Sequence, residues 1–340
     1  MKKRIFPLIN ILLTAFAGAC IIAFYISGNT QQSQKAVQAW AGDSTMDFVQ
    51  ISCFLPVNAP LDPDKIDTFQ KSLAIRLSEF SLEAPENGRL FCDAWSASAA
   101  ASVSNGMESY QTFVTAVGGD FFLFHPLKLI SGSYLSDRDL MRDRVILDKE
   151  LAWKLFGGTD LAGMTVLVNG QPFVVAGVVA QDSGRGSKAS FSEDLGMYLF
   201  YDALSGMEDV GITCYEIVMP EPVSGFGMEF VQENLQVGDG IIVQNTGRYS
   251  ISSVLSTIRS FGTNSMRHTA IAYPYWENTA RYYQDWCALS LVLSILLLLT
   301  PAVTSCVWII QTLVRGKALL SKKIPMLWAQ WRRSAARKKR

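Results

Sequence analysis

The stretch Val145-Ile-Leu-Asp-Lys-Glu-Leu-Ala-Trp-Lys-Leu-Phe-Gly157 holds a strand, a helix start and a helix stop in succession. Val145–Leu147 is a short apolar run. Asp148 is suited to the N-cap, where its carboxylate accepts from unpaired N–H groups of the first helical turn. Gly157 ends the helix because it takes up left-handed backbone without a Cβ clash. Further on, Val166–Val168 and Phe173–Val175 alternate around Asn169-Gly170, which predicts a tight hairpin. Strand, capped helix and hairpin thus follow one another within some thirty residues.

The same reading extends to both sides. Met46–Val57 alternates Phe48, Ile51 and Phe54 and reads as a strand. Asp62-Pro63 is an N-cap followed by proline at the first helical position. Ile66, Phe69, Leu73, Leu77 and Phe80 then mark one helical face. A strand is predicted near Arg89–Trp95, then a small Ser/Ala-rich stretch to Asn105-Gly106, then a strand over Tyr110–Val117. Ser183–Ser190 reads as a Gly/Ser-rich loop. Tyr215–Met219 and Ile241–Gln244 read as strands around a helix at Phe226–Leu235. This second strand–helix–strand unit parallels the first, so two related halves with an insertion between them are expected.

Charge and hydropathy place these elements in a larger plan. The 340 residues carry 30 Lys/Arg and 30 Asp/Glu, 49% hydrophobic residues and only 18% charged ones. Soluble domains average about 25% charged residues. Residues 1–26 contain Lys2, Lys3 and Arg4 and no acid, and residues 286–340 contain ten bases and no acid. All 30 acids therefore lie in residues 27–285 beside 17 bases. A segment with that surplus of negative charge repels nucleic acid.

Ile5–Ile26 is an apolar run of 22 residues and Trp286–Val314 one of 29. Both are long enough to cross the roughly 30 Å hydrocarbon core as helices. Pro301 is expected to kink the second. Basic residues at both outer ends put the termini in the cytoplasm and the middle outside. Tyr282, Tyr283 and Trp286 fall where an aromatic belt would meet the outer interface. The first run has two rival readings: a cleaved signal peptide, and a lipoprotein signal ending at Cys20. The expected organisation is a cytoplasmic start (1–4), a first transmembrane helix (5–26), a stalk continuing that helix (27–45), an outer domain (46–285), a second transmembrane helix (286–314) and a basic cytoplasmic tail (315–340).

No pattern of catalytic chemistry emerges, and the chain reads as a non-enzyme with no cofactor and no metal site. Residues 158–165 have phosphate-loop spacing, but Met164 stands where the lysine must be. His125 and His268 lack metal-ligand spacing. There is no GxSxG nucleophile turn. Asp62, Asp64 and Asp67 are too loosely spaced for a calcium loop. Residues 137–139 and 142–144 are charge runs that read as a solvated loop. Cys53, Cys92 and Cys214 lie outside the apolar runs, either as buried thiols or with Cys53 and Cys92 bridged.

The basic tail carries more information. From Pro325, a helix would place Leu327, Trp328, Trp331 and Ala335 on one side and Arg333, Arg337 and Arg340 opposite. Such a helix lies flat on anionic lipid, so Trp328, Trp331, Arg332, Arg333, Arg337 and Lys338 are candidate contacts to lipid or a partner. The simpler reading is a tail that only sets topology.

Residues 119–180 resemble the MacB-like periplasmic core domain of ABC transporter permeases. The matching residues run from Gly119-Asp120-Phe121-Phe122 through Leu129, Gly132, Tyr134 and Leu135. They continue with Val145-Ile146-Leu147-Asp148, Ala152 and Leu155-Phe156-Gly157. Asp160, Gly163, Val166, Val168, Asn169-Gly170, Phe173, Val175 and Gly177-Val178 complete the pattern. Ser133 and Ala162 depart from it. The resemblance implies an α+β extracytoplasmic domain, a βαβ-type part with an inserted hairpin-containing part, held by two transmembrane helices. It further implies a non-catalytic permease-like subunit of an ABC transporter complex. Its outer domain would be coupled mechanically to the membrane helices, with a separate ABC ATPase or a complete permease as partner. The family carries three helices after this domain and this sequence one, which is expected of a split, degenerate or accessory permease. Arg315, Lys317, Lys322 and Lys323 are candidate ATPase contacts. A homodimer is a further candidate assembly. The alternative is a stand-alone membrane-anchored binding or scaffold protein on the same fold.

Overall fold

A computed structural model describes residues 2–31, 35–84, 88–136, 139–181, 184–190, 196–261, 264, 271 and 273–337. In chain order the elements are α1 (Lys2–Asn29), α2 (Ala36–Ala41), β1 (Phe48–Phe54), α3 (Pro63–Glu79), β2 (Cys92–Ser104) and β3 (Ser109–Gly119). Next come α4 (Phe121–Phe124), β4 (Lys128–Gly132), β5 (Arg144–Asp148), α5 (Lys149–Phe156), β6 (Thr165–Val168) and β7 (Gln171–Ala180). The remainder are α6 (Arg185–Ser190), β8 (Gly196–Phe200), α7 (Tyr201–Ser205), β9 (Cys214–Pro220), α8 (Phe226–Asn234), β10 (Ile241–Gln244), α9 (Ile251–Thr257) and α10 (Tyr275–Arg337). They fall into two compact units, residues 27–286 and residues 1–26 with 287–340.

Unit 27–286 is built on one ten-stranded sheet of order β10-β1-β9-β2-β3-β8-β5-β7-β4, with β6 bridging β2 and β7. β9 lies antiparallel between β1 and β2, and β1 lies antiparallel between β9 and β10. The units β1–α3–β2 and β9–α8–β10 are thus two interleaved split βαβ motifs. These are the two related halves expected from sequence. The insertion, β3 through α7, extends the same sheet from β2.

The local signals explain the elements. Asp62 caps α3 by accepting from the Asp64 N–H at 3.0 Å. Asp148 caps α5 by accepting from the Leu151 N–H at 2.6 Å, and Gly157 closes it at φ +69°. Asn169 and Gly170, at φ +49° and +82°, form the two-residue turn of the β6–β7 hairpin. Both sheet faces are buried. On one, Val49, Ile51 and Cys53 of β1 and Tyr215, Ile217 and Met219 of β9 meet Phe69, Leu73 and Leu77 of α3. On the other, Phe54, Cys92, Cys214 and Val218 meet Phe121, Phe124, Tyr273 and Trp276.

Several expectations need correction. The Ser/Ala-rich stretch is part of β2, paired with β3 from Ala94↔Gly119 to Ser104↔Ser109. Its small side chains lower intrinsic strand preference, but β3 pairs with it along its whole length and β6 joins at Val103 and Ser104. Gly118 is required there, since a Cβ would sit 2.2 Å from the Trp95 ring. Of the two readings of the outer cysteines, that of buried thiols holds: Cys53, Cys92 and Cys214 are buried and free. β9 separates the strands of Cys53 and Cys92, and two inter-strand spacings of about 4.8 Å exceed disulfide reach. The stalk is not a continuous helix: α1 stops at Asn29 and α2 is separate. Gly28, Asn29 and Thr30 supply the weak helix formers that end it. Residues 185–190 of the expected Ser183–Ser190 loop form the short helix α6. Short segments such as β4 and β8 escaped the sequence reading. His268, Asp137, Arg138 and Lys338 to Arg340 lie outside the described residues.

In the other unit, α1 and α10 pack antiparallel. Asn10 donates to Thr304 Oγ1 at 2.8 Å, and the Cys287 thiol meets the Phe24 carbonyl at 3.6 Å. Ala17 and Ala288 are buried there, as small residues that let helices approach closely. Leu8, Ile11, Ile22, Leu296 and Leu313 are exposed. Both helices are long and apolar enough to cross a membrane. α10 is 63 residues long, begins eleven residues before Trp286 and runs through Pro325, where the sequence suggested a new start.

Asp93, on β2, is buried and accepts from Gln70 Nε2 at 2.6 Å and from the Tyr215 hydroxyl at 2.8 Å. Burial pushes its carboxyl above the ordinary value, and these two hydrogen bonds offset only part of the shift. The folded state then holds this proton more tightly than the unfolded chain. Its contribution to stability is full below the unfolded pKa of about 3.9 and is lost as pH rises through the folded value. The Asp93→Asn variant is expected to lose part of the decline in melting midpoint over that window. A decline identical to wild type, followed by tryptophan fluorescence, would count against this.

Candidate functional site

The candidate site is a buried polar chain that joins the sheet to the first turns of α10. Ser52 on β1 and Glu216 on β9 are register partners. By the two-residue period of strands, both share the face of Phe54 and Val218. Ser52 donates to Glu216 Oε1 at 2.5 Å. On the same carboxylate, Oε2 meets Nε2 of His125, the residue that closes α4. The His125 ring lies 4.1 Å from Trp276 and 4.7 Å from Phe121.

Just after β10, the Asn245 N–H pairs with the Gln50 carbonyl at 2.8 Å, which fixes its place. Its side-chain amide donates to Ser52 Oγ at 2.7 Å, and its Oδ1 accepts from Arg248 Nη1 at 3.2 Å. Arg248 then grips Glu277 of α10 with two parallel bonds of 2.7 and 2.9 Å. Arg281, one turn further on, donates to Glu277 Oε1 at 2.5 Å. The Arg281 guanidinium also stacks 4.0 Å over Tyr273, and Arg248 Nε reaches Gln284 at 3.3 Å.

Ser52, Glu216, His125, Asn245, Arg248, Glu277 and Arg281 are all buried, and Glu277 is only 2% exposed. Burying an ion costs several kcal/mol unless a partner and hydrogen bonds compensate. The two-fold bond from Arg248 and the one from Arg281 supply that compensation. Burial alone would lower the Arg248 pKa, but the adjacent Glu277 charge raises it above the ordinary arginine value. The arrangement holds charge and fixes position. Its acids and bases are committed to one another, which fixes the first turns of α10 against the sheet.

Sequence reasoning missed this joint. Glu277 and Arg281 stand at i,i+4, a spacing that favours an ion pair on a helix. That signal went unread because the helix was expected to start at Trp286. Arg248 gives no local sign of its partner 29 residues away. His125, expected in a core or turn role, does take a core position.

The residues singled out from the sequence lie elsewhere. Arg315 and Lys317 are exposed on α10, and Lys322 and Lys323 follow on the same helix. Trp328 is exposed. Trp331, Arg332, Arg333 and Arg337 occupy the last turns of α10. All belong to the unit of residues 1–26 and 287–340, whereas the buried joint belongs to unit 27–286. The phosphate-loop-like residues 158–165 form a turn between α5 and the β6–β7 hairpin.

The model of the MacB-like periplasmic core domain family matches residues 8–221, from within α1 through β9. The chain belongs to that family. Over 79 residues it is 42% identical to the macrolide export ATP-binding/permease protein MacB of Chromobacterium violaceum, which covers 22% of this chain and 12% of that protein. The chain therefore spans about an eighth of that relative's length. Among solved structures, it resembles the periplasmic region of MacB from Actinobacillus actinomycetemcomitans at 18% identity and a TM-score of 0.42, covering 64% of this chain and 94% of that one. It also resembles the extracellular domain of the noncanonic ABC-type transporter YknZ from Gram-positive bacteria, at 17% identity and a TM-score of 0.37, covering 55% and 92%.

Cutting the joint at Arg248 leaves Glu277 with Arg281 alone. Arg248→Met is expected to cost about 3–5 kcal/mol. Combined with Glu277→Gln, the loss should fall short of the sum of the single losses, since the two side chains share one contact. Strict additivity in a thermal double-mutant cycle would break the coupling argument.

Proposed function

We propose that the chain is a non-catalytic, permease-like subunit of an ABC transporter complex. In this reading, movements of the folded domain and of the membrane helices drive one another. The observation that carries it is the joint at Glu277: the first turns of α10 are tied into the sheet through Arg248 and Asn245. α10 then continues unbroken through the apolar run. A helix held in this way transmits rigid-body displacement, because a packed, charge-locked contact shifts as a unit. Membership of the MacB-like family supports an extracytoplasmic place for the domain. The antiparallel packing of α1 and α10, with basic residues at both outer ends, supports two cytoplasmic termini.

ATP hydrolysis would come from a separate ABC ATPase, or from a complete permease assembled with one. Arg315, Lys317, Lys322 and Lys323 are the proposed contacts on the cytoplasmic side. Co-purification of the chain with an ATPase in mild detergent is expected, and truncation after Val314 should abolish it. Retention after truncation would count against these contacts. A stable homo-oligomer carrying no ATPase would favour the alternative, a membrane-anchored scaffold.

The end of α10 is proposed to rest on anionic lipid through Trp328, Trp331, Arg332, Arg333, Arg337 and Lys338. Each base near such a surface contributes about 1 kcal/mol. Replacing Arg332, Arg333, Arg337, Lys338, Lys339 and Arg340 by Gln should weaken binding of a tail peptide to phosphatidylserine vesicles by several decades. Equal binding would leave the tail as a topology signal alone.

A further inference from the structure

α9 presents its side chains in an unusual order. Ser253, Ser256 and Thr257 recur at i, i+3 and i+4 on one side of α9, and Ser260 follows in the 3-10 turn that continues it. They line a cleft of about 480 Å³ whose other wall includes Arg248, Arg281 and Gln284. Among the described residues no carboxylate lines this cleft, and both charged groups in its wall are guanidiniums more than nine-tenths buried. Those two guanidiniums share the single carboxylate of Glu277 behind them. The cleft therefore offers positive charge and hydroxyl groups to an anion, a pairing that suits phosphate oxygens.

The other side of the same segment is apolar and faces out. Ile251, Leu255, Ile258 and Phe261, at i, i+4, i+7 and i+10, are 37–53% exposed. Only Val254 and Thr257 of α9 are buried. A surface helix of a soluble protein turns its apolar stripe inward. An outward apolar stripe with a polar, cationic flank is the pattern of a helix in the membrane interface. Gln284, at the edge of the cleft, precedes the apolar run of α10 by only a few residues.

We propose that the cleft between α9 and the start of α10 binds the phosphate of a membrane phospholipid. In this arrangement Arg281, Arg248 and the α9 hydroxyls face the headgroup, and Ile251, Leu255 and Ile258 face the acyl boundary. The site is separate from the basic tail and requires no ATPase partner.

The test uses the full chain in a detergent with uncharged headgroups. The probes are dihexanoyl phosphatidylglycerol and, separately, inorganic phosphate, read as shifts in melting midpoint. The lipid should raise the midpoint of wild type and of the tail variant with its six bases replaced by Gln. Ser256→Asp, an exposed position that brings a negative charge into the cleft, should weaken the apparent affinity about tenfold or more. Arg281→Gln should do the same. If that variant does not fold, Ser256→Asp decides alone. The pair Leu255→Ser and Ile258→Ser should weaken the lipid but leave inorganic phosphate unaffected. Undiminished lipid affinity in Ser256→Asp overturns the proposal. Inorganic phosphate binding as tightly as the lipid overturns the assignment to a phospholipid.

Discussion

Glu277 carries the one charge on which the arrangement around it depends. Two arginines are buried beside it, and neither guanidinium could leave water without that carboxylate. Arg248 comes from the turn after β10, and Arg281 from the same helix as Glu277 itself. Through Asn245 and Ser52 the constraint reaches Glu216 and His125 on the sheet face. A single buried acid thereby sets the placement of the long helix against the sheet within the folded domain.

The network also protects register. β10 meets only β1, over Ile51–Phe54, so apolar packing alone holds that edge weakly. A slip of one residue would reverse which side chains face the core. It would also take Asn245 away from Ser52 and leave buried polar groups unpaired, each at a cost of about 1–3 kcal/mol. Polar satisfaction and hydrophobic burial thus select the same alignment. The outward apolar stripe of α9 departs from that pattern and buries little of its own, which is why it stands out as a surface with a role.

The chain belongs to the MacB-like periplasmic core domain family. The sheet is two interleaved βαβ motifs with a long insertion, an architecture that serves many purposes. What distinguishes this chain is where its charges lie. The acids concentrate in the folded domain and the bases are densest at the two ends, and the buried Arg248 and Arg281 of the domain share one carboxylate.

Much of this was legible in local residue patterns. Asp148 to Gly157, Asn169-Gly170, Asp62-Pro63 and the two apolar runs act within a few residues of themselves, through capping, turn geometry and burial of one helical face. The presence of two strand–helix–strand units was legible for the same reason, while their interleaving in the sheet was not. The Ala/Ser-rich half of β2 was not either, because its strand state comes from β3 and β6 rather than from its own side chains. The Arg248–Glu277 contact was equally hidden: it joins residues far apart in the chain, and only packing brings them together. The sequence by itself determined the elements and the charge asymmetry, since those follow from short-range chemistry. The tertiary structure alone decided the strand order, the buried joint and the orientation of α9, since each depends on which distant groups share a dry environment.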